Sequence, residues 1–322
     1  MNEIICGDAL TELKKMPNES VNCVITSPPY YGLRDYGADG QIGLEPTYQE
    51  FIKNLCDIFD EVKRVLKKDG TCFVNMGDTF AGGGYGIDSN LENTKQATNK
   101  GTMESRLKIQ QLRKNNKQLP SKCLMMIPER FALEMIERGW ILRNKLVWIK
   151  RNAMPESVQD RWKKAHEYFF FFVKSQKYYF NLDAIRTPHQ LVSLKRAEYE
   201  QGRNVLGQNP SSLGDKSEKY GMPARVVKLN DKGAVPPDFL DIFTNSGEDG
   251  AIEHYATYPQ TLISPLMRAG SKEGDIVLDP FFGSGTTGLV AIKLSRKYVG
   301  IDLSEEYWKI AIDRLNANNP LF

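Results

Sequence analysis

Apolar positions along this chain recur in two rhythms, and the alternation between them predicts a fold. Short apolar runs at Glu3 to Cys6, Val21 to Thr26 and Thr71 to Asn75 have the length and bounded ends of buried strands. Between them, Ala9 to Met16 and Tyr48 to Leu66 carry apolar residues three and four apart, as an amphipathic helix requires. Further on, Pro128 to Arg138 reads as a helix, and Trp140 to Ile149 and the Phe-rich Glu167 to Val173 read as strands that pair antiparallel. The series closes with a helix over Gln260 to Ala269, a strand ending at Asp279, a helical stretch over Leu289 to Leu294, a strand over Lys297 to Asp302 and a helix over Glu305 to Leu315. Strands alternating with helices in this way predict an α/β fold: a doubly wound, mostly parallel sheet with one antiparallel strand pair.

Two stretches interrupt the rhythm. Residues from about 81 to 122 open on Gly82, Gly83 and Gly84, and from Lys95 to Lys122 they hold eight Lys or Arg against the single acid Glu104. Arg113, Lys114 and Lys117 of this run could track nucleic-acid phosphates, or the run could be a solvated surface loop. Residues 186–250 mix charge with scattered Gly, Pro and Ser and show no sustained period, which sets them apart as a loop-rich region. The expected organisation is therefore a catalytic part at 1–185, the loop-rich region at 186–250, and a ligand-binding part of the same domain at 251–322.

Composition narrows the class. The chain has 322 residues, 41% hydrophobic and 26% charged, enough to bury a sizeable core. Its apolar runs are too short for a membrane span and its start carries no basic leader, so the expected location is cytoplasmic. The five cysteines form no C-x-x-C pair and sit mostly in apolar runs, where buried free thiols are expected. Three widely separated histidines argue against a metal cluster, and no metal is expected. A net charge of +3 does not by itself call for a nucleic-acid partner.

The strand Val21 to Thr26 stops at Ser27-Pro28-Pro29-Tyr30. Successive prolines donate no ladder hydrogen bonds and hold the backbone extended, leaving the Ser27 and Pro28 carbonyls to face outward. The Ser27 hydroxyl, the Pro28 carbonyl and the Tyr30 ring together suit a flat nucleobase with an exocyclic amino group. Alone, the same residues would serve to end a strand.

A second chemical motif lies at the other end of the chain, in Asp279-Pro280-Phe281-Phe282-Gly283-Ser284-Gly285-Thr286-Thr287-Gly288. A strand breaks at an acid and enters a turn whose glycines permit positive φ and close approach of a ligand. About 20 residues on, the next strand ends in Asp302, placed to hold ribose hydroxyls. Threonines follow Gly285 where a P-loop needs Lys, which argues against triphosphate chemistry. The formal match to a dinucleotide fingerprint is weak.

Together these motifs resemble the amino-methylating DNA methyltransferases, whose catalytic tetrapeptide is Ser, Asp or Asn followed by Pro-Pro-Tyr or Pro-Pro-Phe. The chain is similar to the beta class of that family, with the catalytic motif near the amino end and the cofactor loop near the carboxyl end. The resemblance implies a Rossmann-like methyltransferase sheet with the loop-rich region as the target-recognition segment. It also implies S-adenosylmethionine as methyl donor and double-stranded DNA as substrate. The implied cofactor residues are Asp8, Thr257, Pro259, Asp279, Pro280, Phe281, Gly283, Ser284, Gly285, Thr286 and Asp302. Asp8 could equally cap the helix after it. Trp148-Ile-Lys150 and the segment His166 to Lys174 resemble the family's later strand motifs.

The implied catalytic residues are Ser27, Pro28, Pro29 and Tyr30. Acceptors from Ser27 and Pro28 would localise the amine lone pair and aim it at the methyl group, with the extrahelical base stacked on Tyr30 and helped by Tyr31. No covalent intermediate is needed. Carbon-5 methylation would demand a Cys after Pro, and no Pro-Cys dipeptide occurs. Within the family Ser in the first position usually accompanies cytosine, so the expected reaction is N4-cytosine methylation, with N6-adenine as the alternative. An inactive DNA-binding protein and a nicotinamide-dependent oxidoreductase fit fewer of the motifs. A cognate restriction endonuclease would be a further partner, and monomer and homodimer are both open.

Overall fold

The computed structural model describes residues 2–82, 109, 119–153, 155–197, 229–244 and 258–318. By internal contacts the chain divides into two compact units, Met1–Asn181 with Asp238–Phe322, and Leu182–Pro237.

The larger unit is built on one sheet. In chain order its elements are β1 (Glu3–Cys6), α1 (Ala9–Lys15), β2 (Val21–Thr26), α2 (Tyr48–Val65), β3 (Leu66–Met76), α3 (Ile127–Glu137), β4 (Ile141–Ile149), β5 (His166–Val173), β6 (Phe239–Asp241), α4 (Gln260–Gly270), β7 (Ile276–Asp279), α5 (Thr286–Lys293), β8 (Lys297–Asp302) and α6 (Glu305–Ala317). The strand order is β1-β8-β7-β2-β3-β5-β4-β6. All neighbours are parallel except β3–β5 and β4–β5. The carboxyl ends of β1, β8, β7, β2, β3 and β4 therefore share one edge, where the amino end of β5 also lies.

Side-chain alternation along the central strands feeds two cores, one on each face. Val24, Val74, Phe170 and Phe172 pack with Leu13 of α1, Phe59 of α2 and Phe131 of α3. Cys23, Ile25, Phe73 and Phe171 face the other way, toward Leu262 of α4, Val290 of α5 and Leu315 of α6. The antiparallel register sets Phe73 opposite Phe171, and their rings stack 4.6 Å apart.

Differences from the expected elements have local causes. β3 begins at Leu66 rather than Thr71, because Leu66 pairs with Val21 across a register shift and draws Lys67, Lys68 and Asp69 into the strand. The helix expected over Leu289 to Leu294 starts at Thr286, directly after Gly285, whose φ of 81° turns the chain into it. β6 has no counterpart among the expected elements: three residues behind Pro236 and Pro237 carry too little pattern, yet they pair parallel with the end of β4. Cys23, Cys56 and Cys72 are buried, but Cys6 is exposed at the end of β1. Among the described residues no helix is long and apolar enough to cross a membrane.

The smaller unit falls largely within the region expected to be loop-rich. Its described part holds a helical turn over Leu182–Ile185, helical residues 191–197 and a bridge between Thr187 and Ala234. Asp183 ties the two ends through Arg186 and Lys232, each at 2.7 Å.

Candidate active site

Ser27 to Tyr30 leave the carboxyl end of β2 at the shared edge. Thr26, the last strand residue, is fully buried, and the chain then turns out through the two prolines. Asn75, buried on the adjacent β3, organises this turn. Its Nδ2 donates to the Tyr168 carbonyl at 3.1 Å, which fixes the amide so that Oδ1 faces Ser27 and Tyr30. There Oδ1 accepts from Ser27 Oγ at 3.3 Å and from the Tyr30 hydroxyl at 3.0 Å. With its only proton directed at Asn75, the Ser27 hydroxyl is left with lone pairs to offer.

The single Tyr30 hydroxyl proton is shared with Glu167 Oε2 at 2.9 Å, and Glu167 forms an ion pair with Lys150. Burial, and then the negative charge of Glu167, push the Tyr30 phenol well above its usual pKa, so it remains a donor. The ring itself lies against Gly77, where an added Cβ would stand 2.6 Å from Tyr30 Cε2. Tyr31, expected beside the extrahelical base, is instead 2% exposed and packs on Phe51 at 5.5 Å. It is a core residue and cannot offer a stacking face.

The glycine loop leaves β7, which lies next to β2 on the side away from β3. Asp279, expected against the cofactor, turns its carboxylate inward instead and is 1% exposed. It accepts from Thr26 Oγ1 at 2.6 Å, Thr287 Oγ1 at 2.6 Å, the Tyr258 hydroxyl at 3.1 Å and the Phe281 N–H at 3.1 Å. Burial outweighs these donors and pushes its pKa up to about 6. Asp279 thus joins the residue before Ser27 to the loop and to α5. Pro280 is buried, and Phe282 lies flat over β8 because Gly300 has no side chain there; an added Cβ would meet the ring at 2.3 Å.

Gly283 and Gly285 both have positive φ, at 53° and 81°. The direction a Gly283 Cβ would take is open, and this is the cradle that a nucleoside at the loop requires. Its N–H donates to Asp302 Oδ2 at 2.7 Å, while Asp302 Oδ1 accepts from the Ser304 N–H at 2.9 Å. Each oxygen of that carboxylate retains capacity to accept a hydroxyl. Burial raises the Asp302 pKa against these hydrogen bonds. The cap of α6 is Ser304, not Asp302. Ser284 and Thr286 turn their hydroxyls to Arg314 of α6, at 3.1 Å and 3.0 Å, so their side chains brace the loop.

Asp8 caps α1, accepting from the Thr11 N–H at 2.9 Å, and the Gly7 N–H donates to the Asp302 carbonyl at 2.9 Å. The cap therefore begins beside the end of β8. Pro259 sits at the amino end of α4. Thr257, Arg113, Lys114 and Lys117 lie outside the described residues.

The sequence matches the N6/N4 family of DNA methylases over residues 21–313. The chain belongs to that family. It is 39% identical over 316 residues to the Type II methyltransferase M.Cfr9I of Citrobacter freundii, covering 97% of this chain and 87% of the relative. Against M.XycI of Xanthomonas campestris pv. cyanopsidis it is 40% identical over 314 residues, with the same coverage of 97% and 87%. Among solved structures, the cytosine-N4-specific PvuII DNA methyltransferase superposes with a TM-score of 0.61 at 20% identity, covering 98% of this chain and 86% of that one. The M1.HpyAVI–SAM complex gives 0.54 at 18% identity, covering 98% and 100%. As a member of that family the protein is a DNA methyltransferase with S-adenosylmethionine as donor. Sequence reasoning does not single out Asn75 or Gly77, and it places Lys150 and Glu167 only within segments that resemble the family's later strand motifs, without a role in the site. The signals present are a lone amide in the apolar run Cys72 to Met76, and an acid heading a strand of four phenylalanines.

Proposed function

We propose that this methylase modifies the N4 amine of cytosine within duplex DNA. The observation that carries the reading is the Ser27 hydroxyl at the end of β2, which donates to Asn75 and can therefore accept from an amine. S-Adenosylmethionine supplies an electrophilic methyl group on a sulfonium centre, and a conjugated amine attacks it slowly because its lone pair is delocalised. Ser27 Oγ and the Pro28 carbonyl accept from the amine N–H groups, localise that lone pair and stabilise the positive charge that develops on nitrogen. Tyr30 provides the face on which the extrahelical base stacks, held by Asn75, Glu167 and Gly77. Asp302 and the Gly283–Gly285 turn hold the nucleoside of the donor. The PvuII enzyme, cytosine-N4-specific, has a similar fold, and Ser in the first motif position usually accompanies cytosine in this family.

Residues 186–250, most of which fall in the unit Leu182–Pro237, would read the DNA sequence. In a restriction–modification setting the methylase protects sites from a cognate endonuclease. Unmethylated genomic DNA treated with the protein and labelled S-adenosylmethionine, then digested to nucleosides, should yield N4-methylcytosine by mass spectrometry. N6-methyladenine as the labelled product would overturn the choice of base.

A further inference from the structure

Trp162 is 94% exposed, the most exposed of the large apolar side chains among the described residues. Leaving an indole in water forgoes the burial that normally stabilises so large an apolar group. Its position is specific. It lies on the connection between Ile149, the last residue of β4, and His166, the first of β5, which pair directly. That connection rises from the same sheet edge as Ser27 to Tyr30, because Met76 at the end of β3 pairs with Tyr168.

The connection is anchored rather than loose. Its neck is closed by the Lys150 N–H donating to the Ala165 carbonyl at 2.8 Å. Arg161 pairs with Glu156 at 2.8 Å, lies over the Phe80 ring at 4.2 Å and donates to the Trp162 carbonyl at 3.0 Å. Lys164 donates to the Asp78 carbonyl, and Asp160 pairs with Lys122 at 2.5 Å. Residues on either side of Trp162 are thus fixed to the loop after β3, while the indole itself projects into solvent. From Lys150 to Lys164 the sequence has five Lys or Arg against two acids, so the surroundings are net positive.

We infer that the β4–β5 connection is a DNA-contacting element in which Trp162 stacks against a base beside the methylation target. A duplex that delivers a base to Tyr30 must lie along this edge. Extruding that base exposes the π-faces of its neighbours, and an indole on a fixed, positively charged loop suits such a face. The inference rests on the family's DNA methyltransferase activity and not on which base is modified.

Acrylamide quenching of tryptophan fluorescence tests it on the full-length protein. Trp140 and Trp148 are 2% and 3% exposed and Trp308 is half-buried, so Trp162 is the most accessible emitter and the Trp162→Phe protein supplies the Trp308 background. Sheared unmethylated genomic DNA should remove much of that accessibility in the wild type, and a Trp162→Phe protein should lack the DNA-dependent change. Trp162→Ala should bind the same DNA roughly ten- to a hundredfold more weakly, with unaltered melting temperature and S-adenosylmethionine affinity. Quenching that saturating DNA leaves unchanged, or equal DNA affinity in the alanine variant, would overturn the inference. So would protection that appears without DNA as protein concentration rises, which assigns the indole to a second copy of the chain. Nucleoside analysis of the same wild-type reactions separates the two failures: methylated DNA with an unprotected Trp162 removes only the stacking role of the indole.

Discussion

The two turns that form the site are held by opposite means. Ser27 to Tyr30 are supported from outside, by side chains of neighbouring strands: Asn75 from β3, Glu167 from β5 and Lys150 beyond β4. Within the turn, the Ser27 oxygen keeps acceptor capacity beyond the bond it donates to Asn75. The Asp279–Thr287 loop spends its own side chains on its support: Asp279 accepts from Thr26 of β2 and from Thr287, and Ser284 and Thr286 accept from Arg314 of α6. On the proposed reading, that leaves backbone, open glycine surface and the borrowed carboxylate of Asp302 to meet the donor. Substitutions should therefore separate chemistry from architecture according to which turn they touch.

The largest effect is expected at Asp279. Asp279→Ala abandons four donors in a buried site and should cost about 3–5 kcal/mol of stability by urea denaturation, with cofactor and DNA binding lost together. A raised carboxyl pKa stabilises the fold most below the unfolded value of 3.8, and that contribution fades as pH rises through about 6. Stability of the wild type should consequently fall by on the order of 1 kcal/mol from about pH 5 to about pH 7.5 on account of this group. Asp279→Asn should lack that component, as paired denaturation curves would reveal.

Ser27→Ala should leave folding and donor affinity unchanged while slowing single-turnover methyl transfer about a hundredfold or more, equivalent to roughly 3 kcal/mol at the transition state. Full-rate transfer by a well-folded variant would refute its role as acceptor. Asp302→Ala should weaken S-adenosylmethionine binding by roughly 1.5–3 kcal/mol in calorimetry. Unchanged affinity there would remove the ribose assignment. The smallest effect is expected of Tyr30→Phe, which keeps the stacking face but loses the bonds to Asn75 and Glu167. A loss of about 1 kcal/mol in transfer rate, with cofactor affinity intact, is expected from pre-steady-state kinetics.

Legibility in the sequence obeys the same division. Strand and helix periods mark most elements because the central sheet is buried on both faces, and the run Val21 to Thr26 ends where the structure ends β2. The four-residue motif and the glycine loop stand out because proline, glycine and acid at strand ends are locally unusual. Asn75 and Glu167 do not, since their significance arises only when β3, β5 and β2 are laid side by side in register. Nor can local sequence tell that Asp279 points inward while Asp302 keeps open acceptor capacity. Both end parallel strands, and the difference is made by Thr26, Tyr258 and Thr287 closing around one of them. Tyr31 is illegible for the same reason: adjacency to Tyr30 in the chain says nothing of the packing that buries it on Phe51.

The hydrogen bond from Thr26 to Asp279 spans 253 positions of the chain. β2 lies between β3, made soon after it, and β7, made far later, and β1 waits for β8 in the same way. A ribosome that has passed the Ser-Pro-Pro-Tyr codons therefore carries a nascent chain whose central strand has one bare edge until β7 has been made. Such distant pairing slows folding and leaves the unpaired edge open to aggregation while it lasts. It also sets an order of assembly: the Ser27 turn cannot be joined to the Asp279 loop before β7 has been synthesised.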